Sequence, residues 1–210
     1  MSGTETSSPL NEQLKQLRLD PLDRKTGAQF ETYLSLFVRW NERVNLSSFH
    51  SEKEIISRHL IESIYVARIL PPGIASLLDY GSGGGLPGIP IALCRPEIAV
   101  TLAESQGRKA AFLAEAVRVL RLSAQIWAKR AERLQASFDC VILRAVDRMP
   151  KAIAAATRLV APKGWLALMT TDPDAARLQT AAGAAFSWSQ LTRLPGSQSK
   201  VLALGQKLSS

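Results

Sequence analysis

The stretch Ser76–Pro90, SLLDYGSGGGLPGIP, decides how the rest of the chain is read. An apolar pair, Leu77 and Leu78, runs into Asp79, and glycines follow at Gly81, Gly83, Gly85 and Gly88. A short apolar run broken by such a cluster predicts a buried parallel strand, a tight turn and then a helix. Glycine suits the turn because it accepts positive φ and lets a ligand lie against the backbone. The next apolar run, Ala99–Ala103, ends in Glu104, about 20 residues on, where nucleotide folds hold a carboxylate for ribose hydroxyls.

The spacing also narrows the ligand. Phosphate-binding loops read G-x-G-x-x-G and set a helix N-terminus on the pyrophosphate. Here the pattern is G-x-G-x-G, with Asp79 two residues before the first glycine. A carboxylate there repels a pyrophosphate and suits a cationic ligand. Asp79, the alternating glycines and Glu104 together favour S-adenosylmethionine over a nicotinamide cofactor. An ordinary glycine-rich turn is the plain alternative.

Working outward, residues 74–207 alternate strands and helices, the pattern of an open α/β sheet. Strands are expected at 75–80, 98–103, 123–128, 138–144 and 165–170, with an antiparallel pair formed by 186–194 and 201–207. Helices are expected near 87–94, 106–120, 150–160 and 172–184. Before Pro71-Pro72-Gly73 the chain is helical, with an amphipathic helix at 9–19 and another at 23–45. Phe30, Leu34, Phe37, Val38 and Val44 form the stripe of the longer helix, bordered by Tyr33 and Trp40. Ser51 and Glu54 form a capping box for a third helix. In that helix His59 borders the apolar face and is expected to pack through a hydrogen bond. Residues 1–8 are expected to be disordered. The chain thus divides into a helical extension, 1–72, and a ligand-binding domain, 73–210.

The 210 residues are 46% hydrophobic and 21% charged, as in a globular protein with one buried core. No apolar run approaches the ~20 residues that cross a bilayer. The polar start, MSGTETSSPL, has no export signal core. Cys94 and Cys140 read as buried thiols of a cytoplasmic protein, and neither histidine has metal-ligand spacing to them. The net charge is +8. Residues 1–70 balance nine basic against nine acidic residues, whereas 71–210 carry seventeen against nine. The excess falls beside the glycine loop and suggests a polyanionic substrate, nucleic acid first. A merely solvated basic surface is the alternative.

Asp79–Pro90 resembles the cofactor loop of the bacterial ribosomal RNA small-subunit methyltransferase G family. Trp40-Asn-Glu-Arg-Val-Asn-Leu-Ser-Ser48 is similar to its W-N-x-x-x-N-L-[ST] segment, Arg58-His-Leu-Ile-Glu-Ser63 to its R-H-x-x-[DE]-S segment and Leu143-Arg-Ala145 to its S-R-A turn. The resemblance spans roughly residues 10–207. It departs from the family at Tyr80, at Leu143 and in Leu166–Thr171, which lacks the usual lysine and glycine. It implies a Rossmann-like class I methyltransferase with a mostly parallel sheet, using S-adenosylmethionine to methylate N7 of a guanine in 16S ribosomal RNA. Asp79, Gly81, Gly83, Gly85, Leu86, Glu104, Ala131, Glu132 and Arg144 would hold the cofactor. Arg144 would also close the site and position phosphate or guanine, with a salt bridge at the strand end as its alternative role. Asn45 and Ser47 would touch the substrate base, with helix-end capping as their alternative role. The partner would be 16S ribosomal RNA or the small subunit, with no metal and no membrane, and the protein a cytoplasmic monomer. A small-molecule methyltransferase on the same fold and a non-catalytic RNA-binding module are the competing readings.

Overall fold

The structure, a computed structural model, describes residues 8–48 and 51–209, without the side chains of Glu52 and Arg58. Residues 1–7, part of the expected disordered start, and His50 lie outside that description. Asp23 caps α2 (Arg24–Val44) by accepting from the Thr26 N–H at 3.0 Å. α1 (Pro9–Gln16) precedes it and is shorter than expected. The capping box forms as read: Ser51 Oγ accepts from the Glu54 N–H at 3.3 Å and donates to Glu54 Oε2 at 2.8 Å. α3 (Glu52–Ile55) then passes through a π-helical turn, Ile56–Leu60, into α4 (Ile61–Ile69).

The five parallel strands are β1 (Ser76–Tyr80), β2 (Ala99–Ala103), β3 (Gln125–Trp127), β4 (Phe138–Arg144) and β5 (Val160–Thr171). They are linked by α5 (Gly88–Cys94), α6 (Gly107–Leu120) and α7 (Met149–Ala156), while α8 (Asp172–Ala181) follows β5. β6 (Phe186–Trp188), β7 (Thr192–Arg193) and β8 (Lys200–Lys207) complete the sheet, whose order is β3-β2-β1-β4-β5-β8-β6, with β7 also on β8. Two expectations change here. Strand five starts earlier, at Val160, with a register shift against β4 between Phe138 and Cys140. The C-terminal pair is antiparallel as expected, but its first strand is divided: β6 and β7 both lie antiparallel to β8, whose other edge is antiparallel to β5.

The strands bury both faces, which is why they read as continuous apolar runs rather than alternating ones. Leu77, Cys140 and Ile142 face one core, and Leu78, Val141 and Leu143 the other. Leu10, Leu14, Phe30 and Phe37 from the N-terminal helices sit in the first core with Leu77 and Leu102. The segment before Pro71 therefore shares a core with the sheet. An aromatic cluster clamps α2 on α6: the Phe37 and Phe112 rings meet edge-on at 5.8 Å, and Trp40 meets Phe112 at the same distance. Tyr33, expected at the border of the helix stripe, is fully buried.

Candidate active site

Reversal of strand order between β1 and β4 opens a crevice at the carboxyl edge of the sheet, the usual ligand position in such folds. The glycine loop fills the near side. Gly81, Gly83 and Gly85 all have positive φ, at 76°, 53° and 82°. The Gly81 and Ser82 N–H groups both donate to Ala103 O at 2.9 Å, which ties the loop to β2. From behind, the Tyr33 hydroxyl donates to Gly84 O at 2.5 Å. A Cβ on Gly84 would lie 2.5 Å from the Phe37 ring, so α2 presses directly against the loop.

Asp79 takes a different place from the one its position suggests. It is 1% exposed, and its Oδ2 accepts from the Gly88 N–H at 3.0 Å. A Cβ on Gly88 would meet that oxygen at 2.5 Å. Burial raises its pKa from 3.8 to about 7, against the lowering effect of the Gly88 hydrogen bond. The carboxyl group braces the loop from beneath and does not line the cleft. Gly85 likewise faces inward: a Cβ there would strike Ile89 at 2.5 Å. These two residues shape the cofactor loop from its buried side.

Glu104 does reach the cleft. Its Oε2 accepts from the Gly83 N–H at 2.9 Å and its Oε1 from the Gln106 N–H at 2.7 Å. Two lobes of about 510 and 570 Å³ meet at Gly81, Glu104, Ser105, Gln106, Val146 and Asp147. Ser47, His59, Gly83, Leu86 and Arg144 line the first, while Tyr80, Ala131, Glu132 and Lys151 line the second. Ala131 and Glu132 stand in a 3-10 turn after β3, as expected from their position. Asn45 stays out of the cleft. It is exposed at the C-terminus of α2, with φ 51°, and its N–H donates to Asn41 O at 3.3 Å. It stands at the C-cap of α2, where asparagine tolerates the left-handed conformation.

A chain of polar contacts runs along the far wall of the first lobe. Buried Asn41 accepts from the Ser47 N–H at 2.7 Å. His59 lies 3.3 Å from Ser47 Oγ through Nε2, and Arg144 Nη2 donates to its Nδ1. A guanidinium has donors only, so Nδ1 accepts and the ring proton sits on Nε2, facing Ser47. Arg144 Nη2 also pairs with Glu62 Oε2 at 3.5 Å, and Lys200 Nζ donates to Glu62 Oε1 at 2.6 Å. Burial lowers the Arg144 pKa, opposed by Glu62 and Asp79. His59 is hydrogen-bonded, as expected, and it also faces the cleft.

Sequence reasoning quoted Glu62 in the R-H-x-x-[DE]-S segment without giving it a role, and it passed over Lys200. Glu62 is 2% exposed, and a carboxylate inside an apolar helix is the signal that could have singled it out. Lys200 gave no such signal. It reaches the site because it pairs with Thr171 in the β5–β8 register, so β8 brings a cation to the strand-five end that lacks one. Among the described residues, no group of three or more His, Cys, Asp or Glu side chains is placed to hold a metal ion. Likewise, no helix there is long and apolar enough to cross a membrane.

Residues 26–200 match the profile of the rRNA small subunit methyltransferase G family. The ribosomal RNA small subunit methyltransferase G of Xanthomonas euvesicatoria is 40% identical over 156 residues, 73% of each chain. That of Stenotrophomonas maltophilia is 38% identical over 151 residues, 70% of each. Among solved structures, a Thermus thermophilus 16S rRNA methyltransferase in complex with AdoMet and guanosine superposes with a TM-score of 0.57 at 19% identity, over 73% of this chain and 40% of that one. Mitomycin 7-O-methyltransferase gives 0.60 at 13% identity, over 85% and 67%. At these identities the likeness shows the fold, that of a class I methyltransferase. From the profile match and the two relatives, the chain belongs to the rRNA small subunit methyltransferase G family.

Proposed function

We propose that this protein methylates N7 of a guanine in 16S ribosomal RNA, with S-adenosylmethionine as donor. The observation that carries the reading is Glu104, a carboxylate in the wall shared by two nucleoside-sized lobes. Each of its oxygens accepts one backbone N–H and keeps a lone pair for a ribose hydroxyl. Gly81 and Gly83 let a ligand approach the backbone beside it. Ala131 and Glu132 would flank the adenine in the second lobe, and Leu86 would give the first lobe an apolar contact. The residues fit the cofactor. When bound, it supplies an electrophilic methyl group on a sulfonium.

Guanine N7 carries a free lone pair at neutral pH, so the site needs no general base. The task of the side chains is orientation at near-attack distance. His59 holds its proton toward Ser47 Oγ, which ties the Ser47 side chain to the wall of the first lobe. Ser47 lines that lobe and would touch the substrate base. Arg144, anchored by Glu62, holds the other end of that wall. The reading makes the protein a cytoplasmic monomer that acts on 16S ribosomal RNA or the small subunit. Borohydride–aniline treatment cuts RNA at N7-methylguanosine. Unmethylated 16S rRNA incubated with enzyme and cofactor should acquire one new cut. Methyl incorporation without a cut would overturn the N7 assignment, and no incorporation would overturn the activity.

A further inference from the structure

Residues 129–158 hold seven basic residues against three acidic ones, so this stretch contributes +4 of the net +8. Arg144 among them is turned inward to Glu62, and Asp139 is spent on the Ala75 and Ser76 N–H groups, which it accepts at 3.0 and 2.9 Å. Four exposed cations, Lys129, Arg130, Arg148 and Lys151, rim the second lobe. Among the described residues none of the four has a carboxylate within ion-pair distance. Lys129 instead sits 5.5 Å above the Trp127 ring. Glu104, Glu132 and Asp147 line the same lobe, but none of them is within ion-pair distance of the four cations, so no ion pair ties these cations to the fold.

The sheet order puts these cations on two banks. Lys129 and Arg130 follow β3, while Arg148 stands at the N-cap of α7 and Lys151 lies in its first turn, just after β4. In the order β3-β2-β1-β4, the ends of β2 and β1 lie between the banks. That gap is the mouth of the second lobe, where Glu104 and Gly81 stand. The rim of the first lobe is different in character, with Leu46, Ser47 and Ser48 on its N-terminal side.

We propose that the ribose–phosphate backbone next to the target nucleotide binds across both banks and covers the mouth of the second lobe. The inference rests on the rRNA reading above and adds a consequence: the cofactor enters before the RNA and its product leaves after it. Phosphates are the fitting partners because single-stranded nucleic acid offers closely spaced anions that each basic residue can neutralise with release of a counterion. An acidic protein surface is the alternative partner, and it would leave RNA affinity unaffected by the variants below.

The test measures the salt dependence of binding to a 16S rRNA fragment that the wild-type enzyme methylates. An Arg148→Gln, Lys151→Gln double variant should lower the slope of log affinity against log salt by about 1 for each cation removed. An Arg118→Gln, Lys163→Gln control, with both cations away from the cleft, should keep the wild-type slope. Independently of any variant, adding the RNA to wild-type enzyme should slow release of bound S-adenosylhomocysteine at least severalfold. Equal slopes in rim and control variants, or product release that RNA leaves unchanged, would overturn the proposal. A wild-type enzyme that methylates no rRNA would instead bring down the functional reading itself.

Discussion

Two carboxylates flank the glycine loop, Asp79 at the end of β1 and Glu104 just beyond β2, and the fold uses them in opposite ways. Asp79 is sealed under the loop with one hydrogen bond from Gly88, and burial raises its pKa to about 7. Glu104 stands in the cleft wall and accepts two loop and helix N–H groups. Both sit at strand ends and both would attract a cationic ligand. The difference comes from the path of the chain after the turn, which returns over Asp79 at Gly88 and leaves Glu104, itself only 7% exposed, lining the cleft. An acidic residue at a strand end can thus serve the loop or the ligand, and the covering backbone decides which.

The largest effect should come from Gly88→Ala. Its Cβ would lie 2.3 Å from Leu102 and 2.5 Å from Asp79 Oδ2, so the loop must shift. Overpacking of this kind costs about 1–3 kcal/mol, and calorimetry should register both a lower Tm and no cofactor binding. Normal binding would mean that the brace under the loop does not shape the site. Next comes Glu104→Gln. It removes a charged acceptor from the cleft, worth about 1.5–3 kcal/mol, so cofactor affinity should fall by about 10–100-fold, and Tm should fall too because the amide nitrogen must face one of the two N–H donors, Gly83 or Gln106.

Asp79→Asn sharpens the contrast through pH. Below pH 4 the Asp79 carboxyl is protonated in both folded and unfolded chains. Between pH 4 and 7 the unfolded chain loses that proton while the folded chain keeps it, so this group's contribution to stability declines as pH rises. The variant has no such proton to lose. Its Tm should gain on that of the wild type from pH 4 to 7, and a difference that stays flat would place Asp79 in a wetter setting. The smallest effect is expected at Asn45→Gly. Glycine accepts the same left-handed φ at a helix end, so stability should change by no more than about 0.5 kcal/mol and turnover not at all. A marked loss of turnover would return Asn45 to the substrate site.

The parallel sheet was legible because fully buried strands leave short apolar runs, and Phe138–Arg144 matches its expected bounds. What escaped were contacts made across distant parts of the chain. Tyr33 lies three residues after Phe30 and four before Phe37, on the apolar stripe. Its hydroxyl argued for the border of the stripe until the Gly84 carbonyl supplied a buried partner. Lys200 became a site residue through strand register alone, and the buried face of the loop that takes Asp79 and Gly85 depends on how the helices close over it. Glu104, Gly81, Gly83, Leu86, Ala131, Glu132, Arg144 and Ser47 line the cleft because their positions follow from strand ends and from the turns beside them.

Titration calorimetry of the wild type and of Glu104→Gln with S-adenosylmethionine bears most directly on the whole. The wild type should bind one molecule per chain, and the variant should bind it at least tenfold more weakly while still unfolding in a cooperative transition. Equal affinity in the two proteins, or no binding heat from the wild type, would contradict the assignment of this cleft to the methyl donor.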